Sequence, residues 1–119
     1  MLVWVATLLT WLASVLVVPP EGPYPQVIPY PVFSAALNAF GPTEVDMALC
    51  IAREESNYGR NTRPGAEGEI GVWQIHPIHG IPAAALLEPT VNAAAAKMLR
   101  DRAGDWSPWR HAWNTCRGR

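Results

Sequence analysis

The sequence predicts a mainly α-helical protein: one small domain that contains a short glycine-rich loop or hairpin, preceded by an N-terminal hydrophobic helix. Its 119 residues leave room for one domain. From residue 32 onward, apolar segments alternate with glycine, proline and capping residues, which begin and end helices. Residues 59–71 carry four glycines and a proline, and these interrupt the helical pattern with a loop or hairpin.

The N-terminal hydrophobic helix is predicted from residues 2–18, an uncharged run that reads LVWVATLLTWLASVLVV. A helix of this length reaches the lower limit for crossing a bilayer core, about 17 residues. The segment lacks the basic start and the small-residue cleavage site of a typical signal peptide. The segment has three interpretations: an uncleaved membrane anchor, a cleaved export signal (residues 1–18), or a start codon placed too far upstream. We expect an exported protein, membrane-anchored or secreted, that acts in the cell envelope.

A proline-rich linker is expected at residues 19–31, where proline recurs too often for a helix to continue. Such a composition favours a stiff polyproline spacer. The linker leads into the helical domain, residues 32–119. The first helix of this domain is predicted over residues 32–40, because Gly41 and Pro42 end it.

Three further helices follow along the domain. The second helix is predicted over residues 44–56, with Thr43 as its N-cap and acidic residues in its first turn. After the glycine-rich stretch, a short helix is expected over residues 81–87. The longest helix, residues 91–103, is rich in alanine and ends at Gly104.

The C-terminal part of the domain combines a short helix with positive charge. Ser107 and Pro108 are typical of the cap and first residue of this last helix. Residues 97–119 hold six basic side chains against two acidic ones, whereas residues 21–96 hold eight acidic against three basic. A solvated basic surface is the simpler interpretation, and attraction to an anionic polymer such as the bacterial cell wall is the alternative. No nucleic-acid-binding motif accompanies these charges, so we expect no nucleic-acid partner.

The two cysteines, Cys50 and Cys116, lie near opposite ends of the helical domain. A small exported domain buries little surface and often depends on a disulfide for its stability. We therefore expect a bridge between these cysteines, worth about 4 kcal/mol in the chain-entropy model. Two unpaired thiols are the alternative.

The histidines do not predict a metal site. His76 and His79 form an HxxH pattern, but Pro77 disturbs the helix that such a pattern needs to bind zinc. A third ligand at a helpful spacing is also missing from the sequence. We expect loop histidines, no metal and no cofactor, and we expect His111 on the surface.

The stretch most informative about chemistry is residues 52–77, AREESNYGRNTRPGAEGEIGVWQIHP. Cleavage of a glycosidic bond requires a carboxylic acid that is still protonated near neutral pH. Partial burial against apolar neighbours raises the pKa of a carboxyl group and so meets this requirement. A glutamate at the end of a hydrophobic helix fits, and helical spacing leaves Glu54 and Glu55 as equal candidates.

An ordered set of motifs extends over residues 43–116. A Glu-Ser pair at 55–56 precedes the glycine-rich gap, and Gly-Val-Trp-Gln-Ile follows at 71–75. Asn92 opens the long helix, and Trp-Asn stands at 113–114. This order resembles the soluble lytic transglycosylase domains of the lysozyme-like superfamily, which carry Gly-Leu-Met-Gln-Ile-like and Tyr-Asn segments at the last two positions. The cysteines and C-terminal tryptophans are also similar to the resuscitation-promoting-factor type of domain.

The resemblance implies a lysozyme-like fold and makes Glu55, rather than Glu54, the catalytic acid. It implies cleavage of the β-1,4 bond between N-acetylmuramic acid and N-acetylglucosamine in peptidoglycan glycan strands. We expect the protein to act as a monomer. Substrate contacts are expected from the following residues along the cleft: Ser56, Tyr58, Gly71, Trp73, Gln74, Ile75, Asn92, Trp109 and Trp113.

Several of these residues have a specific role under the resemblance. Ser56 would orient Glu55 or the substrate, and Gly71 would let the sugar approach the backbone. The tryptophans would stack on sugar rings, although core packing is the alternative and we expect it for at least one of them. Trp113 replaces the tyrosine of the family and so removes a hydroxyl group near the acid.

Glu69 decides between two mechanisms under the resemblance. A lytic transglycosylase uses one carboxylate and the 6-hydroxyl of the substrate itself, and it leaves a 1,6-anhydro end. A hydrolysing muramidase typically needs a second carboxylate, and Glu69 stands where animal-type lysozymes carry an aspartate. The transglycosylase is favoured, and the alternatives are a muramidase that uses Glu55 with Glu69 and an inactive peptidoglycan-binding module. A phage lysis enzyme, a virion-associated enzyme and a bacterial wall-remodelling enzyme all fit the sequence.

Overall fold

The computed structural model describes residues 27–118, apart from the side chain of Ile78. This part of the chain is a single, mainly helical globule, with helices over 60% of its residues. An antiparallel bridge between Ile70 and Ile75 is its one element of β-structure. The helices are α1 (Tyr30–Phe40), α2 (Val45–Ser56), α3 (Ala83–Leu86), α4 (Pro89–Ala103) and α5 (Arg110–Arg117), with 3-10 turns at Pro77–His79 and Ser107–Trp109.

The predicted hydrophobic helix and most of the predicted linker lie outside the described residues. Among the helices that the structure describes, none is long and apolar enough to cross a membrane.

Two helices begin earlier than predicted, and each has a proline at its start. Helix α1 begins at Tyr30 with Pro29 as its N-cap, so the last two residues of the predicted linker are helical. Helix α4 begins at Pro89, two residues before the predicted start, and it ends before Gly104 as expected. Proline fits the first turn of a helix because its φ angle is already helical and the first turn needs no N–H donor.

The prediction of Thr43 as the N-cap of α2 is wrong. Glu44 occupies the N-cap, and no side chain caps this helix. The backbone already turns before the helix, where the carbonyl oxygen of Gly41 accepts hydrogen bonds from the N–H groups of Glu44 (3.3 Å) and Val45 (3.0 Å). The Glu44 side chain instead forms an ion pair with Arg100 of α4 at 2.9 Å.

Two other predicted helices also differ in the structure. Helix α3 keeps only four residues of the predicted seven-residue segment 81–87. The C-terminal helix is divided into the 3-10 turn at Ser107–Trp109 and α5. Asp105 stabilises the start of this turn, because its Oδ1 atom accepts the backbone N–H of Ser107 at 2.9 Å. Hydrogen bonds from Ser107 also lower the pKa of the Asp105 carboxyl group.

An aromatic chain forms the centre of the core. The rings of Phe40 and Trp73 are 5.9 Å apart, those of Phe40 and Trp106 are 5.1 Å apart, and those of Trp106 and Trp109 are 5.7 Å apart. All three pairs are tilted, and such contacts contribute about 0.5–1.5 kcal/mol each beyond the area they bury. The aromatic chain connects α1, the 70–75 segment and the turn before α5.

The predicted disulfide is present. Cys50 on α2 and Cys116 on α5 are bonded, with Cα atoms 5.9 Å apart. Helix α5 is only eight residues long and ends one residue after Cys116. The bridge therefore fixes the C-terminal helix to the helix that carries Glu54 and Glu55.

Reduction of the disulfide should lower the free energy of unfolding by about 4 kcal/mol, since the bridge closes a long loop in the unfolded chain. We expect the same loss in the Cys50→Ser, Cys116→Ser double variant. Denaturant unfolding with and without a thiol reductant measures both effects. The double variant is the control, because a reductant should not change its stability. Equal stability of the oxidised and reduced wild-type protein would contradict a structural role for the bridge.

Candidate active site

Glu55 continues the buried face of α2. Ile51 and Ala52 are fully buried on that face, and Glu55 follows them at the three- and four-residue spacings that place side chains on one side of a helix. Glu55 itself is half-buried in the last turn of the helix. Glu54 is exposed on the neighbouring face, where Arg53 lies 3.2 Å from its carboxylate. The structure thus separates the two glutamates that helical spacing left equal.

Burial raises the pKa of Glu55 above its usual value, because desolvation disfavours the carboxylate form. The negative charge of Glu69 is the second cause and raises the pKa further. His111 acts in the opposite direction, and Glu54 adds a smaller increase. A carboxyl group in these surroundings keeps its proton to higher pH than an ordinary glutamate, as a general acid must.

Ser56 connects the end of α2 to the glycine-rich segment. Its hydroxyl group donates a hydrogen bond to the carbonyl oxygen of Val72 (2.7 Å) and accepts one from the backbone N–H of Gly59 (2.7 Å). The side chain is only 2% exposed. Ser56 therefore supports the backbone next to Glu55 from inside the protein, and its predicted role in orienting Glu55 or the substrate stays a prediction.

Glu69 and Gln74 lie together over Gly65. A β-carbon on Gly65 would collide with the Glu69 carboxylate and would lie 2.9 Å from Oε1 of Gln74. The chain turns between Ile70 and Ile75, and the bridge between these two residues closes the turn with two N–H···O bonds of 2.9 Å. Both polar side chains are partly exposed. The structure thus places the predicted second carboxylate and the predicted cleft amide side by side.

Asn92 is fully buried, and its polar atoms bind the protein itself. Its Oδ1 atom accepts the backbone N–H of Trp73 (2.7 Å), and its Nδ2 atom donates to the carbonyl oxygens of Ile70 and Leu86 (2.8 Å each). Gly71, at φ +84°, leaves room for this amide, since a β-carbon there would collide with Asn92 and with the Leu86 carbonyl group. Asn92 therefore holds the backbone at Ile70, Trp73 and Leu86, and its amide fills the space that Gly71 leaves; substrate contact by either residue stays a prediction.

Four of the residues predicted to contact sugar belong to the core. Trp73, Ile75, Trp109 and Tyr58 are 0%, 1%, 5% and 6% exposed. Their side chains pack in the hydrophobic core, and their contact with sugar stays a prediction. Core packing is the role that the structure gives to Trp73 and Trp109. Trp113 stays partly exposed and is the member of the predicted tryptophan set that substrate can reach.

His111 is a neighbour of Glu55 that sequence reasoning did not connect with the site. It is exposed on the first turn of α5, as expected for a surface residue. Its charge lowers the pKa of Glu55 and so opposes the effect of Glu69. No sequence motif relates the two positions, because α5 reaches α2 only through the folded core and the disulfide.

The Leu87 cavity lies between the glycine-rich segment and the region of α3. It has a volume of about 300 Å³ and is lined by Thr62, Pro64, Ile70, Ala83, Ala84 and Leu87. Ile70 directly follows Glu69, and Pro64 directly precedes Gly65, which the Glu69 carboxylate covers.

A second cavity, of about 390 Å³, lies beside the disulfide, and Tyr58 and Arg53 are among its lining residues. Neither Glu55 nor Glu69 lines it, so its size does not make it the catalytic cleft. Within residues 27–118, no group of three His, Cys, Asp or Glu side chains could hold a metal ion.

Comparison of the chain with protein-family models, with curated proteins and with solved structures found no match. The chemistry of the site therefore has to be inferred from its own residues. They provide a half-buried carboxyl group with a raised pKa, a second carboxylate and an imidazole whose charges act on it, and an amide next to the second carboxylate.

Replacing Asn92 with alanine should lower the free energy of unfolding by at least about 2 kcal/mol, because three buried backbone groups would lose their partner. Thr90→Ala, an exposed change on the same helix, is the matched control and should have little effect. Urea unfolding of both variants measures the difference. A stable Asn92→Ala variant that binds substrate poorly would instead support the original substrate-binding role.

Proposed function

We propose that the protein cleaves the β-1,4 glycosidic bond between N-acetylmuramic acid and N-acetylglucosamine in peptidoglycan, with Glu55 as the general acid. The helical domain would have a lysozyme-like fold. It would act in the cell envelope as an exported protein, either anchored in a membrane or secreted. The activity would need no cofactor.

The raised pKa of Glu55 is the observation that carries this proposal. Glycosidic oxygens are weakly basic, so the leaving sugar needs a proton from an acid that is still protonated near neutral pH. Burial and the charge of Glu69 raise the pKa of Glu55 in the direction that this step requires, whereas Glu54 is exposed and lies against Arg53. The site thus has one acid suited to the step and a neighbouring carboxylate.

The favoured reaction is that of a lytic transglycosylase. Glu55 donates its proton to the bridging oxygen as the bond from that oxygen to C1 of the muramic sugar breaks. The 6-hydroxyl of the same sugar then attacks C1 and returns a proton to Glu55, which leaves a 1,6-anhydro end. In this reaction Glu69 acts through its charge, because it helps to keep Glu55 protonated.

A hydrolysing muramidase is the second candidate, and the position of Glu69 favours it. Retaining and inverting glycosidases place two carboxyl groups on either side of the scissile bond. Glu69 is close enough to Glu55 to be the second cause of its raised pKa. In this reaction Glu69 would stabilise the positive charge at C1 or hold the attacking water, and the product would have a reducing end.

Glu55→Gln should lower the rate of peptidoglycan cleavage at least about a hundredfold, because the glutamine cannot donate a proton. Mass spectrometry of the muropeptides released from purified sacculi measures the rate and identifies the product ends. Glu54→Gln is the matched control from the same helical turn and should stay active.

The product ends and a Glu69→Gln variant separate the two reactions. Products lighter by one water, with residual activity in Glu69→Gln, are expected for the transglycosylase. Reducing ends, with loss of activity in Glu69→Gln, would establish the muramidase. A folded wild-type protein that binds sacculi and releases nothing would refute both and leave an inactive peptidoglycan-binding module.

A further inference from the structure

The turn at the end of the glycine-rich segment brings two acceptor oxygens to one place. A β-carbon on Gly65 would collide with Oε2 of Glu69 and would lie 2.9 Å from Oε1 of Gln74. Both oxygens therefore lie over the same backbone position, and both side chains are partly exposed to solvent. Carboxylate and amide oxygens accept hydrogen bonds and donate none, so a donor is required between them.

Backbone hydrogen bonds fix this pair of acceptors. Gly65 donates its N–H to the carbonyl oxygen of Glu69 at 2.9 Å. On the other side of the turn, Nε2 of Gln74 donates to the carbonyl oxygen of Gly71 at 3.0 Å. This bond uses the donor end of the amide, so Oε1 is left as an acceptor beside Glu69. Among residues 27–118, no protein group donates a hydrogen bond to the Glu69 carboxylate or to Oε1 of Gln74.

The same turn is bonded to the end of the helix that carries Glu55. Ser56 directly follows Glu55 and donates its hydroxyl group to the carbonyl oxygen of Val72 at 2.7 Å. Val72 lies two residues before Gln74. The charge of Glu69 acts on Glu55 as the second cause of its raised pKa. The acceptor pair and the proposed general acid therefore belong to one site.

A water molecule satisfies this pair of acceptors better than a sugar hydroxyl group does. Water has two hydrogens to donate, one for each oxygen, whereas the 6-hydroxyl group of the substrate has only one. A divalent cation is a poorer occupant, since it needs about six oxygen ligands. When both of its hydrogens are bound to Glu69 and Gln74, the water directs a lone pair away from the two acceptors, as an attacking nucleophile must.

We propose that Glu69 and Gln74 hold a water molecule that attacks C1 of the muramic sugar, which gives the protein a hydrolytic activity beside the transglycosylase reaction. The inference rests on the proposed function, which supplies Glu55 as the acid and a muramic sugar bound next to it. It makes Gln74 a catalytic residue, because its amide touches the nucleophile. It makes Gly65 a positioning residue, because it leaves the space in which the Glu69 carboxylate lies.

The hydrolytic step balances within these groups. Glu55 gives its proton to the bridging oxygen as the bond from that oxygen to C1 breaks. The oxygen of the held water forms the new bond to C1, and one of its protons passes to the Glu69 carboxylate. The other proton stays on this oxygen, next to Gln74, as part of the hydroxyl group of a reducing end. Glu69 then returns its proton to Glu55 through solvent, which restores the site.

The ratio of the two product ends tests the inference. Uncrosslinked glycan strands are first reduced with borohydride, so that only newly formed ends are counted. Mass spectrometry then separates reducing ends from 1,6-anhydro ends, which are lighter by one water. The wild-type chain should form both. In Gln74→Met, which keeps the length of the side chain but removes the acceptor, the share of reducing ends should fall at least about tenfold.

Gly65→Ala is the second variant. Its β-carbon would displace the Glu69 carboxylate, whereas the backbone of Gly65 lies outside the left-handed region and accepts alanine. The share of reducing ends should fall here as well. Glu67→Gln is the matched control, because Glu67 is an exposed acid of the same loop whose charge is not among those that raise the pKa of Glu55. It should keep the wild-type ratio.

A ratio of ends separates catalysis from stability, because partial unfolding of a variant would lower both products alike. Wild-type protein that forms 1,6-anhydro ends alone, or an unchanged ratio in both Gln74→Met and Gly65→Ala, would overturn the held water while leaving the cleavage activity in place. Folded wild-type protein that forms no new ends would overturn the proposed function itself, and the held water with it.

Discussion

The position of the candidate acid depends on the buried residue Trp73. Its indole N–H donates to the carbonyl oxygen of Ala48 on α2 (2.9 Å), and its backbone N–H donates to Asn92 on α4 (2.7 Å). Its carbonyl oxygen accepts the indole N–H of Trp109 (2.7 Å). Because these groups are buried, the loss of any one partner would cost about 1–3 kcal/mol. Trp73 thus fixes the turn after the glycine-rich segment against the helix that carries Glu55.

The burial of Glu55 lowers the stability of the folded protein when this carboxyl group ionises. A carboxyl group whose folded-state pKa is raised stabilises the fold fully below its usual pKa, and this contribution is lost as pH rises through the folded-state value. Glu55 is such a group, and ionisation near Glu69 adds repulsion. The disulfide between Cys50 and Cys116 joins α2 to α5 and offsets part of this cost. Helix α2 therefore carries both Glu55, whose ionisation is unfavourable, and Cys50, which bonds the helix to α5.

Most of the helical architecture was predictable, because it depends on local signals. Proline, glycine and apolar runs located the first four helices of the domain to within a few residues, and the cysteine pairing was expected from the small domain and its predicted export. The roles of Asn92 and Trp73 were not predictable, since hydrogen bonding to a distant backbone group leaves no periodic pattern. For the same reason, sequence spacing could not separate Glu55 from Glu54, nor bring His111 to the site. Tertiary packing decides which side chains line a cleft and which are buried behind it.

The central claim is that burial and a neighbouring charge keep Glu55 protonated, and a direct titration of its carboxyl group tests it best. Carbon-detected NMR with carboxyl-labelled glutamate, assigned with Glu55→Gln, gives the pKa in the folded protein. The account predicts a pKa above the usual glutamate value, which falls in Glu69→Gln but stays raised because burial remains. An ordinary pKa for Glu55 that Glu69→Gln does not change would contradict the account.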